Sequence, residues 1–247
     1  MKGVILAGGK GTRLYPLTHA TNKHLLPVYS KPMIYYPIQT LVKAGIDTIM
    51  VVTGGPHAGD FLGVLKNGDQ FGIKHLEYAY QEDEGGIAQA LALCEDFADK
   101  EPIAVILGDN TTDADISGAV ANFTEGALIF LKEVPDPQRF GVPYFDLQDP
   151  TKIVNIQEKP QDPPNHWAVT GLYVYDTSVF SYIRTIKPST RGELEITDVN
   201  NCYIKANKLH WTKLEGYWRD AGTFDTLFEA NKYWADKHYH DNSPEEK

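Results

Sequence analysis

From its third residue the chain alternates between short runs that are apolar at every position and segments with apolar residues at helical spacing. Gly3-Val4-Ile5-Leu6-Ala7, Thr48-Ile49-Met50-Val51-Val52-Thr53 and Ile103-Ala104-Val105-Ile106-Leu107 read as buried strands, and His75 to Tyr80 alternates as a strand. Between them Pro32 to Ala44, Asp60 to Leu65 and Ile87 to Phe97 carry the helical period, the first stopped by Gly45 and the second near Gly68. A strand apolar on both faces must be covered on both faces. The pattern therefore predicts an α/β fold with a mostly parallel sheet and helices on each side.

After about residue 125 the connections shorten. Leu128 to Leu131, Val142 to Phe145, Ile153 to Ile156 and Val169 to Tyr175 read as strands, and Thr177 to Ile186, Glu195 to Lys205 and about Thr223 to Trp234 as helices. The polar closing residues His238 to Lys247 are expected to fray. No linker interrupts the chain, so the 247 residues are expected to form one domain, with a nucleotide-type first half and a substrate-type second half. Cys94 and Cys202 are too few for a disulfide framework or a cysteine-based zinc site, and read as buried free thiols. No run of about 18 apolar residues and no signal-peptide pattern is present, so the chain reads as soluble and cytoplasmic.

Asp and Glu outnumber Lys and Arg by 33 to 23, a formal charge of −10. Such a chain is a poor partner for nucleic acid or an anionic membrane. An anionic small molecule would need a local basic pocket, which makes the placement of individual cations decisive.

Leu6-Ala7-Gly8-Gly9-Lys10-Gly11-Thr12-Arg13 directly follows the first strand. Glycines there let backbone N–H groups approach an anionic or planar ligand, and Lys10, Thr12 and Arg13 suit phosphates. A tight strand-to-helix turn would demand the same glycines. The run is neither a Walker A loop nor a dinucleotide fingerprint, since Gly9-x-Gly11 continues to Leu14. Lys23, beside Leu25-Leu26-Pro27, is either a solvated loop cation or a charge held against a phosphate. His24 has no second ligand at metal spacing and reads as an ordinary exposed or hydrogen-bonded histidine.

Asp109-Asn110 ends a buried strand, where open α/β sheets bind ligands, although both residues also suit a helix N-cap. Asp220, within Arg219-Asp220-Ala221-Gly222-Thr223, offers a second carboxylate. Two such aspartates can hold one Mg²⁺, which keeps waters and takes phosphate oxygens; each alone reads as a cap. Glu158-Lys159-Pro160 and Arg191-Gly192-Glu193-Leu194-Glu195 complete the set, with surface ion pairs as the plain alternative.

Along the chain these pieces fall within Leu-Ala-Gly-Gly-Lys-Gly-Thr-Arg-Leu-Tyr-Pro, Lys-His-Leu-Leu-Pro-Val-Tyr, Lys-Pro-Met-Ile-Tyr-Tyr-Pro, Gly-Ile-Ala-Gln-Ala and Leu-Gly-Asp-Asn. Phe-Gly-Val, Gln-Glu-Lys-Pro, Ala-Val-Thr-Gly-Leu-Tyr, Arg-Gly-Glu-Leu-Glu-Ile-Thr-Asp and Asp-Ala-Gly-Thr follow. The ordered set resembles the sugar-1-phosphate nucleotidylyltransferase family. The resemblance implies a Rossmann-like nucleotidyltransferase fold with a mixed central sheet, a nucleotide-binding half over about 1–125 and a sugar-binding half over about 126–235. It implies dTTP and glucose 1-phosphate as substrates and Mg²⁺ as cofactor. A phosphate oxygen of the sugar 1-phosphate attacks the α-phosphorus in line and pyrophosphate leaves. The attacking group is already ionised, so no general base or covalent intermediate is required.

The same resemblance implies residue roles. Leu6, Ala7, Gly8, Gly9, Gly11 and Thr12 fall in the nucleotide loop, with Arg13 on the leaving pyrophosphate and Lys23 on the nucleotide phosphates. Gln81 and Gly86 match positions at the pyrimidine edge, and Asp109 and Asp220 match the metal ligands. Lys159 and Arg191 match cations around the sugar phosphate; Gly141, Glu158, Val169 and Gly171 match the sugar pocket.

Three departures stand out. Thr111-Thr112 replaces a common Ile-Phe, Arg219 replaces a usual apolar residue, and the chain stops soon after the helix that follows Asp220. Longer members continue into helices that help form an inhibitory site between subunits. This chain is expected to lack that site and to be a monomer or small homo-oligomer. The near alternative is a uridylyltransferase or an enzyme for another sugar 1-phosphate. The alternative of another class is a non-catalytic nucleotide-sugar sensor, against which the retention of Arg13, Lys23, Asp109, Lys159 and Asp220 speaks.

Overall fold

Strand β1 (Lys2–Ala7) lies inside the sheet of the structure, a computed structural model that describes residues 1–242. Its side chains feed two separate cores. Val4 and Leu6 join a cluster on one face, while Ile5 and Ala7 join a cluster on the other. This two-residue period of a strand explains why no position of the run from Val4 to Ala7 is polar.

The first half continues through β2 (Pro27–Val28), β3 (Lys31–Pro32), α1 (Tyr35–Lys43), β4 (Thr48–Gly54), α2 (Ala58–Leu65), β5 (His75–Gln81), α3 (Ile87–Ala92), α4 (Glu95–Ala98) and β6 (Ile103–Leu107). β4 and β6 flank β1 in parallel, and β5 lies parallel beyond β4. The second half supplies β7 (Asn110–Thr112), α5 (Ser117–Ala121), β8 (Ala127–Glu133), β9 (Gly141–Phe145), β10 (Ile153–Glu158), β11 (Trp167–Tyr175), α6 (Ser178–Ile183), α7 (Ile196–Lys205), β12 (Leu209–Lys213), β13 (Trp218–Asp220) and α8 (Phe224–Asn242). β11 runs antiparallel beside β6 and carries the sheet into the second half, in the order β10-β9-β11-β6-β1-β4-β5. β8 also pairs with β11, and β12 with β8, giving nine strands in one mixed sheet. Leu91, Phe180 and Val199 bring α3, α6 and α7 onto one face; Ile38 and Phe61 bring α1 and α2 onto the other.

The elements differ from expectation at a few places. α1 begins three residues late because Lys31 and Pro32 pair with Val28 and Pro27 in a small hairpin. The helix expected over 87–97 breaks at Leu93 and Cys94 into α3 and α4. The expected strands are joined by five that sequence patterning missed, β2, β3, β7, β12 and β13, and the short helix α5 was likewise not foreseen. Cys94 is buried, and burial pushes its thiol up to about 12, but Cys202 is only half-buried. No helix of the described residues is long and apolar enough to cross a membrane.

The last helix runs well past Trp234, and His238 is helical rather than frayed. Its inner face is tied down. Asn231 Oδ1 accepts the Tyr29 N–H at 2.7 Å, Trp234 packs on Tyr36 at 4.5 Å between ring centroids, and His238 meets Tyr29 at 5.4 Å. Tyr233 and Lys237 both donate to the Asp113 carboxylate. The fraying expected for 243–247 lies outside the described residues.

Burial opposes the charge on Asp113, but Lys237, Tyr233 and the Tyr217 N–H outweigh it and hold the carboxyl below its usual value of 3.8. A carboxylate depressed in the folded state stabilises the fold above its unfolded pKa and loses that contribution as pH falls through the folded pKa. Asp113→Asn is expected to cost about 1–3 kcal/mol at pH 7, and this gap should shrink as pH drops below about 4. Urea unfolding across that range tests it; a gap unchanged at the acid end would refute the linkage.

Candidate active site

The carboxyl ends of β1, β5 and β6 open into a cleft of about 600 Å³. β4 and β6 lie on opposite sides of β1, so the cleft sits where the strand order switches, the usual ligand crevice of an open α/β sheet. Leu6, Gly8, Gly9, Gly11, Thr12 and Arg13 line it from the glycine loop, and Lys23, Gln81, Gly86, Asp109 and Asp220 add to that side. Gly141, Glu158, Lys159, Val169, Gly171 and Arg191 line it from the second half. Two loop residues are placed otherwise. Ala7 is fully buried in the core beneath the loop. Lys10 does not line the cleft itself but pairs with Glu84 at its edge, which accepts the Lys10 backbone N–H at 2.7 Å and faces its ammonium at 3.3 Å.

Asp109 and Asp220 meet because β7 and β13 form an antiparallel ladder. Trp218 pairs with Thr112, Arg219 with Thr111 and Asp220 with Asn110. The Ala221 N–H closes the ladder by donating to the Asp109 carbonyl at 2.9 Å. Strand pairing, not a helix cap, thus places Asp109. A Cβ built on Gly222 would sit 2.7 Å from Asp220 Oδ1, 3.1 Å from Arg13 Nη2 and 3.6 Å from Asp109 Oδ2, which measures how tightly these groups gather.

Asp109 is 8% exposed and bonded at both oxygens. Lys23 Nζ donates to Oδ2 at 2.6 Å and Asn110 Nδ2 to Oδ1 at 3.1 Å. Burial works against its charge, yet the Lys23 ammonium and the Asn110 amide hold the carboxyl well below the usual carboxylate range. Asn110 itself cannot turn over. Its Oδ1 accepts the Gly171 N–H at 3.1 Å and the Trp218 indole N–H at 2.7 Å, both groups that can only donate. Burial, then the neighbouring Asp109 charge, push the Asp220 carboxyl above its usual value. A buried and a partly buried carboxylate of like charge, both hard oxygen donors, fit a divalent cation that completes its shell with water and phosphate oxygens. His24 is fully buried against this floor, hydrogen-bonded to Asn22 Oδ1 at 2.7 Å. Burial, then Lys23, hold its imidazole neutral with a pKa of about 3.

On the opposite wall β11 carries an irregularity between Val169 and Tyr173. There the Gly171 N–H leaves the sheet for Asn110, and a Cβ would come within 2.7 Å of both Asn110 Oδ1 and Leu107. Such a bulge re-aims backbone at a site. Glu158 accepts from the Thr197 hydroxyl at 2.6 Å and lies 3.6 Å from Lys159 and 3.7 Å from Arg191. Arg191 is also gripped by Glu195 at 2.8 Å and faces Glu193 at 3.4 Å. The segment carrying Arg191 is pinned to the nucleotide side: the Leu194 N–H donates to the Gly85 carbonyl and the Ala88 N–H to the Leu194 carbonyl. Gly86, at φ 95°, is the hinge of this contact, where a Cβ would lie 2.6 Å from the Leu194 oxygen.

One cation escaped sequence reasoning. Arg139 lines the cleft with Nη2 buried and without a hydrogen-bond partner, 3.6 Å from Asp220 Oδ2. Its Nη1 donates to Asp136 at 2.8 Å, and Asp136 in turn is held by Arg219 at 3.1 Å. The only sequence signal was its place at the end of Asp-Pro-Gln-Arg, immediately before Phe140-Gly141. Arg219 is thereby accounted for as a buttress that also bonds Glu229 at 2.7 Å. Thr111 and Thr112 are buried in β7 and spend their hydroxyls on the Arg219 and Tyr217 carbonyls of the opposite segment.

Comparison with known proteins agrees with this geometry. The nucleotidyl transferase family model matches residues 2–237. A glucose-1-phosphate thymidylyltransferase of Xanthomonas campestris pv. campestris (strain B100) is 45% identical over 240 residues, 94% of this chain and 80% of that protein. One from Mycolicibacterium smegmatis (strain ATCC 700084 / mc(2)155) is 42% identical over 238 residues, 94% of this chain and 82% of that protein. Among solved structures, a Bacillus anthracis protein assigned as a glucose-1-phosphate thymidylyltransferase, crystallised with a sucrose, aligns with a TM-score of 0.89 and 50% identity over 96% of both chains. A UDP-glucose pyrophosphorylase bound to UDP-glucose shares the fold at a TM-score of 0.85 and 24% identity, over 96% of this chain and 98% of that one. With a switch-point cleft, a glycine loop and a match spanning nearly every described residue, the chain belongs to the nucleotidyl transferase family.

Proposed function

We propose that the protein joins dTTP to glucose 1-phosphate, forming dTDP-glucose and pyrophosphate. The observation that carries this reading is the meeting of Asp109 and Asp220 at a cleft that Arg13, Lys23, Lys159 and Arg191 also line. A reaction between two polyanions needs their charge neutralised and their phosphates aligned, and little else. That local ring of cations answers the net charge of −10, which would by itself repel a triphosphate.

The glycine loop would receive the triphosphate, with Arg13 on the departing pyrophosphate, where negative charge grows. Lys23, which holds Asp109 in place, would also face the nucleotide phosphates. Gln81 and Gly86 would meet the base. Gly141, Glu158, Val169 and Gly171 would take the sugar, Glu158 by accepting from its hydroxyls. Lys159 and Arg191 would grip the sugar phosphate, whose ionised oxygen attacks the α-phosphorus directly. Asp109 and Asp220 would hold Mg²⁺, which when bound supplies electrostatic stabilisation to the α-phosphate.

Pyrophosphate release should be measured with glucose 1-phosphate, Mg²⁺ and a panel of dTTP, UTP, CTP and GTP. Release is expected to be fastest with dTTP. A preference for UTP rejects the thymidylyl assignment, and silence with all four rejects glucose 1-phosphate as the substrate.

A further inference from the structure

The side-chain amide of Gln81 is held in one orientation by a relay whose two ends are backbone groups. The Gly85 N–H donates to Gln89 Oε1 at 3.0 Å. The same oxygen accepts from Gln81 Nε2 at 2.8 Å, and that Nε2 also faces the Gly86 carbonyl at 3.3 Å. A backbone N–H can only donate and a carbonyl can only accept. Turning either amide end for end would therefore break both of its bonds in the relay. The arrangement leaves Gln81 Oε1, an acceptor, beside Gly8 in the cleft, where a Cβ on Gly8 would approach it to 2.5 Å. Gln89 is half-buried behind Gln81 and stands outside the set of cleft-lining residues. Its amide lies so close over Gly85 that a Cβ there would come within 2.3 Å.

We propose that Gln89 is a specificity-determining positioning residue, which fixes Gln81 Oε1 as an acceptor and so selects a pyrimidine carrying an N3–H over cytosine. The inference rests on the reading of the cleft as a pyrimidine nucleotide site. Thymine and uracil donate from N3, whereas cytosine presents a lone pair there and would face the Gln81 oxygen with a second acceptor. An unrestrained Gln81 could offer its NH₂ group instead and serve cytosine equally well. The relay does not separate thymine from uracil, which share the N3–H. A site built around one fixed hydrogen bond rejects the mismatched analogue because a buried polar group is left unpaired.

The test is calorimetric binding of dTDP and dCDP to the whole protein in Mg²⁺-free buffer. It compares wild type with Gln89→Met, which keeps the bulk but removes the relay, and Gln89→Glu, which keeps an acceptor for Gly85 and Gln81. Gly85→Ala displaces the Gln89 amide by a separate route. Wild type should favour dTDP. Gln89→Met and Gly85→Ala should each lose about tenfold or more of the dTDP-to-dCDP affinity ratio, and Gln89→Glu should keep it within about threefold. A wild-type ratio near one, or a ratio that Gln89→Met and Gly85→Ala leave intact, overturns the relay. Failure of wild type to release pyrophosphate from dTTP rejects the catalytic reading separately, because the binding ratio needs no turnover.

Discussion

Asp220→Asn is expected to lower turnover severely and, at the same time, to make the protein slightly more stable. Its carboxyl is buried beside the ionised Asp109, and both burial and that charge raise its pKa. A neutral amide gives up the long 3.6 Å contact with Arg139 but removes the burial and like-charge penalties that dominate at this carboxyl, and it can still accept the Gly222 N–H that Oδ1 now takes at 2.6 Å. The gain should be about 1 kcal/mol at pH 7 without Mg²⁺, read by urea unfolding. The loss in kcat should be about 10²–10³-fold or more, the scale of removing one preorganised electrostatic group. Asp109→Asn should lose activity similarly without that gain, because it surrenders the Lys23 ion pair. Near-normal rates in both variants would overturn the placement of the chemistry at this pair. Opposite signs for stability and activity mark a residue kept for function at a cost to the fold.

Lys23→Met carries the other large effect. Lys23 Nζ is 2.6 Å from Asp109, and both side chains are more than four-fifths buried, at 14% and 11% exposure. Removing the ammonium strands a buried carboxylate, which typically costs about 3–5 kcal/mol. The double variant Lys23→Met/Asp109→Asn should recover much of that loss, since the stranded charge goes with its partner. If instead the two single effects simply add, the pair is not coupled and Asp109 draws its ionisation from elsewhere. Activity distinguishes the two routes, because the stable double variant remains inactive.

Much of the first half was legible because β1, β4 and β6 are buried on both faces and announce it at every position. The glycine loop was visible directly after such a strand, but its glycines alone also suited a tight turn, and it was the ordered set of further motifs that made it a nucleotide loop. β7 and β13 were not. Asn110-Thr111-Thr112 and Trp218-Arg219-Asp220 are three residues each, too short to show a period, and their pairing is set by partners far away in the chain. That the two aspartates share one metal was implied by the resemblance, while the residues alone showed each only as a possible cap and not what brings them together. Arg139 was silent because its role depends on Asp136 and Arg219 folding against it. The extent of α8 was hidden for the same reason: its polar surface hides anchors such as Asn231 and Lys237, whose partners Tyr29 and Asp113 lie in other elements.

The β7–β13 ladder also orders events in time. A ribosome delivers Arg13, Lys23, Asp109, Lys159 and Arg191 well before Trp218. Domains gather as their chains emerge, and contacts distant in sequence close late because their loop entropy must be met first. A nascent chain that already carries every lysine and arginine proposed for the two substrates still lacks the second carboxylate and the Ala221 N–H that closes onto Asp109. On the proposed assignment, competence arrives with one short stretch of backbone, and a chain released before Trp218 is expected to be mute rather than partly active.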